Sequence, residues 1–177
     1  PEYETMAAFG PNCGVSDLKA ICKAHDLCNR HGIDTISAGV TISFAMECFE
    51  RGIITVQDTG GYALTFGNAP AMLHLLEQIV HRQGLGDLLA EGSKRAAGKI
   101  GQGSEDFAIQ VKGLELPMHD PRLKQGMGIH YSTHATGADH CSGAQDTQYI
   151  KGTLEGWSAI DVGEPIPSTE LSPRKAR

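Results

Sequence analysis

The sequence predicts an all-α, multihelical protein with two helical lobes and little or no sheet. Apolar residues recur at helical spacing in four segments of the 177-residue chain. Strand-like alternation is convincing only in residues 106–116, where Phe107, Ile109 and Val111 alternate with other residues. Strands do not alternate with helices, as an α/β sheet would require. The two lobes are expected to meet near residues 111–122.

Two consecutive helices and the polar turn between them occupy residues 17–51. Ser16 is predicted to cap the first helix, and Gly32 is its natural end. Asp34 or Thr35 can cap the second helix, which should run to about Arg51 and be apolar on nearly all sides. The first helix places these residues on one face: Leu18, Ile21, Cys22, His25 and Cys28.

Later segments continue the helical pattern. Asn68 should cap a helix within residues 67–84, with Pro70 in its first turn. Residues 86–101 predict one short helix weakened by Gly92, and another helix should follow Pro121. The tail, residues 165–177, is expected to be loop or disordered because it has three prolines and no apolar face.

Composition excludes several classes of protein. The formal net charge is -6 without a cluster of Lys and Arg, which argues against a nucleic-acid partner. No apolar run approaches the length of a membrane span. The five cysteines are an odd number without C-x-x-C spacing, so we expect reduced thiols in a cytoplasmic protein.

Two short stretches could carry chemistry. Tyr3 and Glu4 lie side by side and could form a proton-transfer pair, although a charged, solvated terminus is the simpler interpretation. Residues 27–39 form a turn rich in donors and acceptors, where Asp34 could accept from a ring N–H. That turn is either a cradle for a polar heterocycle or an ordinary corner between two well-capped helices.

A third candidate is a histidine pair. His130 and His134 are four residues apart, a metal-ligand spacing on a helix, and His140 follows. These three residues could hold zinc in a hydrolase, but Tyr131 stands where the zincin motif has its Glu. The alternative is that both histidines of the pair belong to the core or the surface.

Several stretches, taken together in their order and spacing, resemble one family. The stretches are PEYET at residues 1–5, residues 10–52, LLAEGSKRAA at 88–97, VKGLELPMHDPR at 111–122, and YSTHATGADH at 131–140. They are similar to the C-terminal helical region of the tungsten-containing aldehyde ferredoxin oxidoreductases. The resemblance divides the chain into residues 1–108, similar to the family's second domain, and residues 109–177, a partial third domain with an irregular tail.

The resemblance implies a cofactor and a turn that grips it. Tungsten or molybdenum would be held by the dithiolenes of two pterins, and a [4Fe–4S] cluster would pass electrons to ferredoxin. The family's pterin-binding turn matches Asn29, Gly32, Ile33 and Asp34, and Thr35 follows it. Asn29 stands where the family has Asp, so it keeps an acceptor oxygen.

The resemblance also implies a reaction, the oxidation of a small aldehyde to a carboxylic acid. Glu4 matches the family's carboxylate near the metal and would act as general base. His140 matches the family's active-site histidine, and either His140 or Tyr3 would hydrogen-bond the carbonyl oxygen.

Departures from the family pattern lead to further expectations. His134 and Thr136 replace a small residue and an Arg of the family. The cluster-ligating cysteines and the N-terminal domain should lie upstream of Pro1. We therefore expect a fragment that binds no cofactor and is inactive alone, completed by that domain and prone to form homo-oligomers. A non-catalytic helical interaction module with the same fold is the alternative.

Overall fold

The computed structural model describes residues 1–143, 145 and 146. These residues form seven α-helices and one two-stranded antiparallel hairpin, so the prediction of an all-α fold with little sheet is confirmed. The predicted tail at 165–177 lies outside the described residues. The helices are α1 Tyr3–Phe9, α2 Leu18–His31, α3 Thr35–Glu50, α4 Ala69–His81, α5 Leu85–Leu89, α6 Ser93–Ile100 and α7 Gln125–Thr133; the strands are β1 Gln110–Val111 and β2 Leu114–Glu115.

The chain divides into two compact units. The first is Pro1–Met118, which holds α1 to α6 and the hairpin, and the second begins at His119 and holds α7. The division falls inside the segment 111–122. The assignment of residues 1–108 and 109–177 to two domains of the family stays a prediction.

Helix α2 begins one residue later than the sequence predicted. Asp17, not Ser16, is the N-cap, and its carboxylate accepts from the backbone N–H groups of Lys19 and Ala20. An N-cap side chain must reach donors two and three residues on, which Asp17 does from its extended backbone. Gly32 ends the helix at φ 65°, as predicted. The buried face comprises Ala20, Ile21, Ala24 and Cys28, whereas Leu18 and Cys22 are exposed.

Helix α3 is the centre of the first unit. Asp34 caps it through its carboxylate and the Ser37 N–H. Nine of its sixteen residues are buried, so its apolar sides form part of the core. At Gly39 the backbone of α1 comes so close that an added Cβ would lie 2.7 Å from the Ala8 Cβ. No helix among the described residues is long and apolar enough to cross a membrane.

Later elements confirm some predictions and correct others. Asn68 caps α4 as expected. The single helix predicted for residues 86–101 is wrong, because the chain breaks at Gly92, whose φ is 86°, into α5 and α6. The predicted strand is also shorter than expected: Phe107 belongs to a 3₁₀ turn, and only two residue pairs form the ladder. Helix α7 begins at Gln125, four residues after Pro121.

A buried carboxylate joins the hairpin to two helices. Glu115 is 4% exposed, and its Oε1 accepts from the Ser93 backbone N–H at 2.7 Å and from the Ser93 hydroxyl at 2.8 Å. The Thr41 hydroxyl of α3 donates to the same oxygen at 3.4 Å. The N-cap of α6 is Gly92, which has no side chain to accept from the first N–H groups of the helix. The Glu115 carboxylate takes this capping role instead.

All five cysteines are free, as expected from their spacing. Burial raises the pKa of the Cys13 and Cys28 thiols to about 12 and that of Cys48 to about 11. These three side chains are therefore protonated and unreactive at neutral pH, and they pack as small apolar groups. Cys22 and Cys141 are exposed.

We expect Gly39→Ala to destabilise the first unit. The new Cβ would meet the Cβ, C and O atoms of Ala8 at 2.7 to 2.9 Å, and backbone atoms cannot move aside cheaply. Overpacking of this kind costs about 1–3 kcal/mol, measurable by urea denaturation. Gly98→Ala in α6 is the matched control, because an added Cβ there meets no atom within 4 Å. It should stabilise the protein by about 0.5–1 kcal/mol; equal effects of both changes would contradict the close approach.

Glu115→Ala should lower the free energy of unfolding by about 3 kcal/mol, because it leaves two buried donors of Ser93 without their acceptor. Glu115→Gln keeps an acceptor oxygen and should lose less. Glu105→Ala, which removes an exposed carboxylate, should stay within about 0.5 kcal/mol of the wild type. Identical melting temperatures for Glu115→Ala and Glu105→Ala would show that the buried contacts of Glu115 do not contribute to stability.

Candidate functional site

The first turn of α1 buries one carboxylate of the charged N-terminal segment, that of Glu4. The Glu2 side chain caps the helix by accepting from the backbone N–H groups of Glu4 and Thr5. With the helix fixed in this way, the Glu4 side chain points inward, and the residue is only 6% exposed. The interpretation of PEYET as a solvated terminus is therefore wrong for Glu4, because a neighbouring carboxylate does the capping.

Glu4 and Tyr3 both hold the backbone of Met118. The Met118 N–H donates to Glu4 Oε2 at 2.8 Å, and the Tyr3 hydroxyl donates to the Met118 carbonyl at 2.9 Å. Tyr3 is otherwise 61% exposed. This hydrogen bond of the phenol fastens the segment at Met118 to the start of α1.

The turn between α2 and α3 is defined by two caps. Gly32 adopts φ 65°, and the Ile33 N–H donates to the Cys28 carbonyl at 2.9 Å, which ends α2. Asp34 Oδ1 then accepts from the Ser37 N–H at 2.7 Å and starts α3. Ile33 packs against the core, whereas Gly32 and Asp34 are exposed.

Two acceptor oxygens flank this turn. The Asn29 amide nitrogen donates to the His25 carbonyl at 3.0 Å, so the group that Asn29 can offer to a ligand is its amide oxygen. Asp34 uses one carboxylate oxygen for capping and keeps the other for a ligand. An added Cβ at Gly32 would meet no atom within 4 Å, so the surroundings of Gly32, which lies between these two residues in the sequence, are open.

A direct contact joins the two regions. The hydroxyls of Thr5 in α1 and Thr35 in α3 lie 2.8 Å apart and hydrogen-bond. The buried carboxylate of Glu4 and the turn at residues 29–35 therefore belong to one compact unit, at adjoining helix starts. Sequence reasoning missed Thr5, because nothing in the sequence pairs it with a residue thirty positions away.

His140 lies in the second unit, where its ring is 5.2 Å from the ring of His119. The Cys141 sulfur lies 3.7 Å from His140 Nε2, and the His140 carbonyl accepts from the Gln145 side chain at 2.7 Å. His119 is the neighbour that sequence reasoning missed, since no spacing links it to His140.

The environment of His119 keeps its ring neutral. Burial lowers the pKa of His119 to about 4, and the charges of Lys124 and His140 add to the shift. A neutral Nδ1 can accept from the Lys124 ammonium group, which lies 2.8 Å away. The Tyr131 hydroxyl, from α7, donates to the His119 carbonyl at 3.1 Å.

The acidic residue Asp139, and not His140, lies next to the histidine pair His130 and His134. The rings of His130 and His134 lie 4.9 Å apart, and the acidic residue grouped with them is Asp139, not His140. The Ser142 side chain and the backbone N–H groups of Cys141 and Ser142 hold the pKa of Asp139 well below its usual range, so the carboxylate is ionised. The sequence signal that could have suggested Asp139 is Gly137. Its backbone has a positive φ, and the chain reverses there.

Comparison with known proteins settles the family. The profile described as aldehyde ferredoxin oxidoreductase, domains 2 and 3, matches residues 1–176. The chain belongs to the aldehyde ferredoxin oxidoreductase family. A tungsten-containing aldehyde ferredoxin oxidoreductase of Thermococcus kodakarensis is 42% identical over 141 residues, which are 79% of this chain and 23% of that protein. One of Pyrococcus horikoshii is 43% identical over 143 residues, 79% of this chain and 23% of that protein.

Other proteins similar to this chain bear different names. The WOR-like subunit of an aliphatic sulfonate oxidoreductase of Pyrococcus furiosus is 37% identical over 81% of this chain and 24% of that protein. A similar solved structure is the active-site complex BamBC of benzoyl coenzyme A reductase with 1,5-dienoyl-CoA. It has a TM-score of 0.60 and 29% identity over 89% of this chain and 24% of that chain. The chain thus spans about a quarter of the length of its curated relatives.

We expect the His119 ring to titrate with a midpoint near pH 4 in a proton NMR experiment. Its folded pKa is depressed below the ordinary 6.5, so its contribution to stability is complete above pH 6.5 and is lost as the pH falls towards 4. Lys124→Gln should raise the midpoint because it removes one positive neighbour, whereas Lys94→Gln, in the first unit, should not change it. A midpoint at or above 6.5 would contradict the buried environment.

Proposed function

We propose that this chain forms the helical part of a tungsten-dependent enzyme that oxidises small aldehydes to carboxylic acids, with electrons leaving through a [4Fe–4S] cluster to ferredoxin. The observation that supports the proposal is the Thr5–Thr35 contact, which holds the buried carboxylate of Glu4 and the acceptor-bearing turn in one unit. The [4Fe–4S] cluster and ferredoxin are included in the proposal only because the family suggests them.

The turn at residues 29–35 fits a pterin. A pterin ring presents N–H donors, and the turn offers the amide oxygen of Asn29 and the second carboxylate oxygen of Asp34 on either side of the open position at Gly32. These are the residues that would hold the cofactor. When bound, the metal and its pterins supply the acceptor for the two electrons of the oxidation.

Glu4 is the proposed general base. Its Oε2 is fixed by the Met118 N–H, so the carboxylate has a defined orientation before substrate arrives. It would take a proton from water or from the hydrated aldehyde. His140 is the proposed donor to the carbonyl oxygen, because the Tyr3 proton is already given to the Met118 carbonyl. Tyr3 is then a positioning residue that acts through Met118.

The expected effect of Glu4→Gln is a loss of roughly 100-fold or more in aldehyde oxidation, the contribution of a general base. The glutamine keeps an acceptor for the Met118 N–H, so tungsten and iron contents should be unchanged. Glu50→Gln, at the exposed end of α3, is the control and should keep full activity. The measurement is aldehyde-dependent reduction of an artificial acceptor by the polypeptide that contains this chain, purified anaerobically from its host.

Elemental analysis of the same material comes first. About one tungsten or molybdenum and about four iron atoms per chain are expected from one metal centre and one cluster. Absence of all three metals, or full activity in Glu4→Gln, would contradict the proposal. Because one relative is named for aliphatic sulfonates, the substrate screen should compare aldehydes with sulfonates.

A further inference from the structure

The end of α7 and the loop after it bring three metal-ligating side chains together. His130 lies in the last turn of α7 and His134 is its C-cap, so the two are neighbours on one face. The chain then reverses at Gly137, whose φ is 98°, and the Asp139 N–H donates to the Gly137 carbonyl at 2.8 Å. This reversal returns Asp139 to the histidine pair.

The distances within this group are close to those around a metal ion. Asp139 Oδ2 lies 3.9 Å from His130 Nε2 and 3.7 Å from His134 Nε2, and the three ligand atoms lie within 4.8 Å of one another. In a tetrahedral zinc site with bonds near 2.1 Å, ligand atoms are about 3.4 Å apart. Side-chain shifts of less than about 1 Å would complete such a geometry.

One atom of the group lacks the partner that a buried nitrogen normally has. His130 Nε2 is shielded from solvent and accepts or donates no hydrogen bond in the part of the chain that the structure describes. Its distance of 3.9 Å from Asp139 is too long for a hydrogen bond. An unpartnered buried nitrogen costs stability, and a bound cation at this point would satisfy it.

Neighbouring groups orient the side chains of His134 and Asp139. His134 Nδ1 hydrogen-bonds the Thr136 hydroxyl at 2.9 Å, a contact that restrains the orientation of the ring. The Asp139 carboxylate accepts from the backbone N–H groups of Cys141 at 3.0 Å and Ser142 at 2.9 Å. Supporting hydrogen bonds of this kind are characteristic of metal ligands.

The His130 ring is held from its other edge. A Cβ at Gly143 would lie 2.6 Å from both Nδ1 and Cε1 of His130, so only glycine lets the loop lie this close. The contact occupies the Nδ1 side of the ring and leaves Nε2 on the side of Asp139. The ring is therefore restrained in the orientation that a metal would require.

We propose that His130, His134 and Asp139 form a binding site for a divalent transition-metal ion such as Zn²⁺. Two imidazoles and one carboxylate are ligands that zinc prefers, and three protein ligands leave at least one position for water. The ion would fasten the loop at residues 137–143 to the end of α7. This proposal does not depend on tungsten chemistry, and it places Asp139, not His140, among the ligands.

The test is calorimetric titration of the metal-free full chain with Zn²⁺. One ion per chain is expected, with a rise in the thermal midpoint. His134→Gln and Asp139→Asn should each weaken binding roughly 10-fold or more, and Thr136→Val should weaken it about 10-fold through the lost orienting contact. Far-ultraviolet circular dichroism of each variant confirms that it is folded. Asp139→Asn keeps an acceptor oxygen for one of the two loop N–H groups and changes no residue of α7, so it should fold even if a histidine variant does not.

Two controls separate this site from adventitious binding. Cys141→Ser tests the neighbouring thiol, and His81→Ala removes an exposed histidine of the first unit. Both variants should bind Zn²⁺ as the wild type does, and the Co²⁺ complex should show no thiolate charge-transfer band. Unchanged binding in Asp139→Asn and His134→Gln, or loss of binding in either control, would overturn the proposal.

Discussion

The close approach of α1 and α3 is the constraint on which the first unit depends. Only a hydrogen atom at Gly39 lets the two backbones lie as near as Ala8 requires. Because α1 has just seven residues, it would not be stable alone, and its position comes from packing against α3. The packing of α1 against α3 therefore helps to place every residue that α1 carries.

What α1 carries is the acidic half of the proposed site. Capping by Glu2 frees the next carboxylate, Glu4, to point inward, and Thr5 reaches across to Thr35. The opposite half is a turn whose polar residues satisfy helix ends and still retain acceptors for a ligand. Capping and binding are thus served by the same residues, which explains why an ordinary helix corner and a cofactor cradle look alike in sequence.

Local signals predicted most of the fold. The end of α2 at Gly32 and the cap Asn68 followed from residue type and position alone, and Asp34 is one of the two caps predicted for α3. The choice between Ser16 and Asp17 could not be made in this way, because both are good caps and the backbone decides. The break between α5 and α6 at Gly92 was not predicted. The acceptor for the first N–H of α6 is Glu115, twenty-three residues after Gly92, and no local pattern indicates it.

The site was predicted unevenly for a related reason. Family resemblance supplied Glu4 and the turn, but the contacts that position them are long-range: Tyr3 to Met118, and Thr5 to Thr35. Asp139 joins the histidine pair only through a chain reversal, so spacing along the helix could not indicate it. Hydrophobic periodicity predicts single helices or strands, whereas the contacts that position the candidate site residues join different helices and loops.

The Cys13 thiol lies at the crossing of α1 and α3, within 3.3 Å of the Ala8 carbonyl and 3.5 Å of the Gly39 carbonyl. Because Cys13 is fully buried, its sulfur meets a reagent in solution only after this region of the first unit opens. The rate at which a reagent alkylates the Cys13 thiol therefore reports how often that opening occurs.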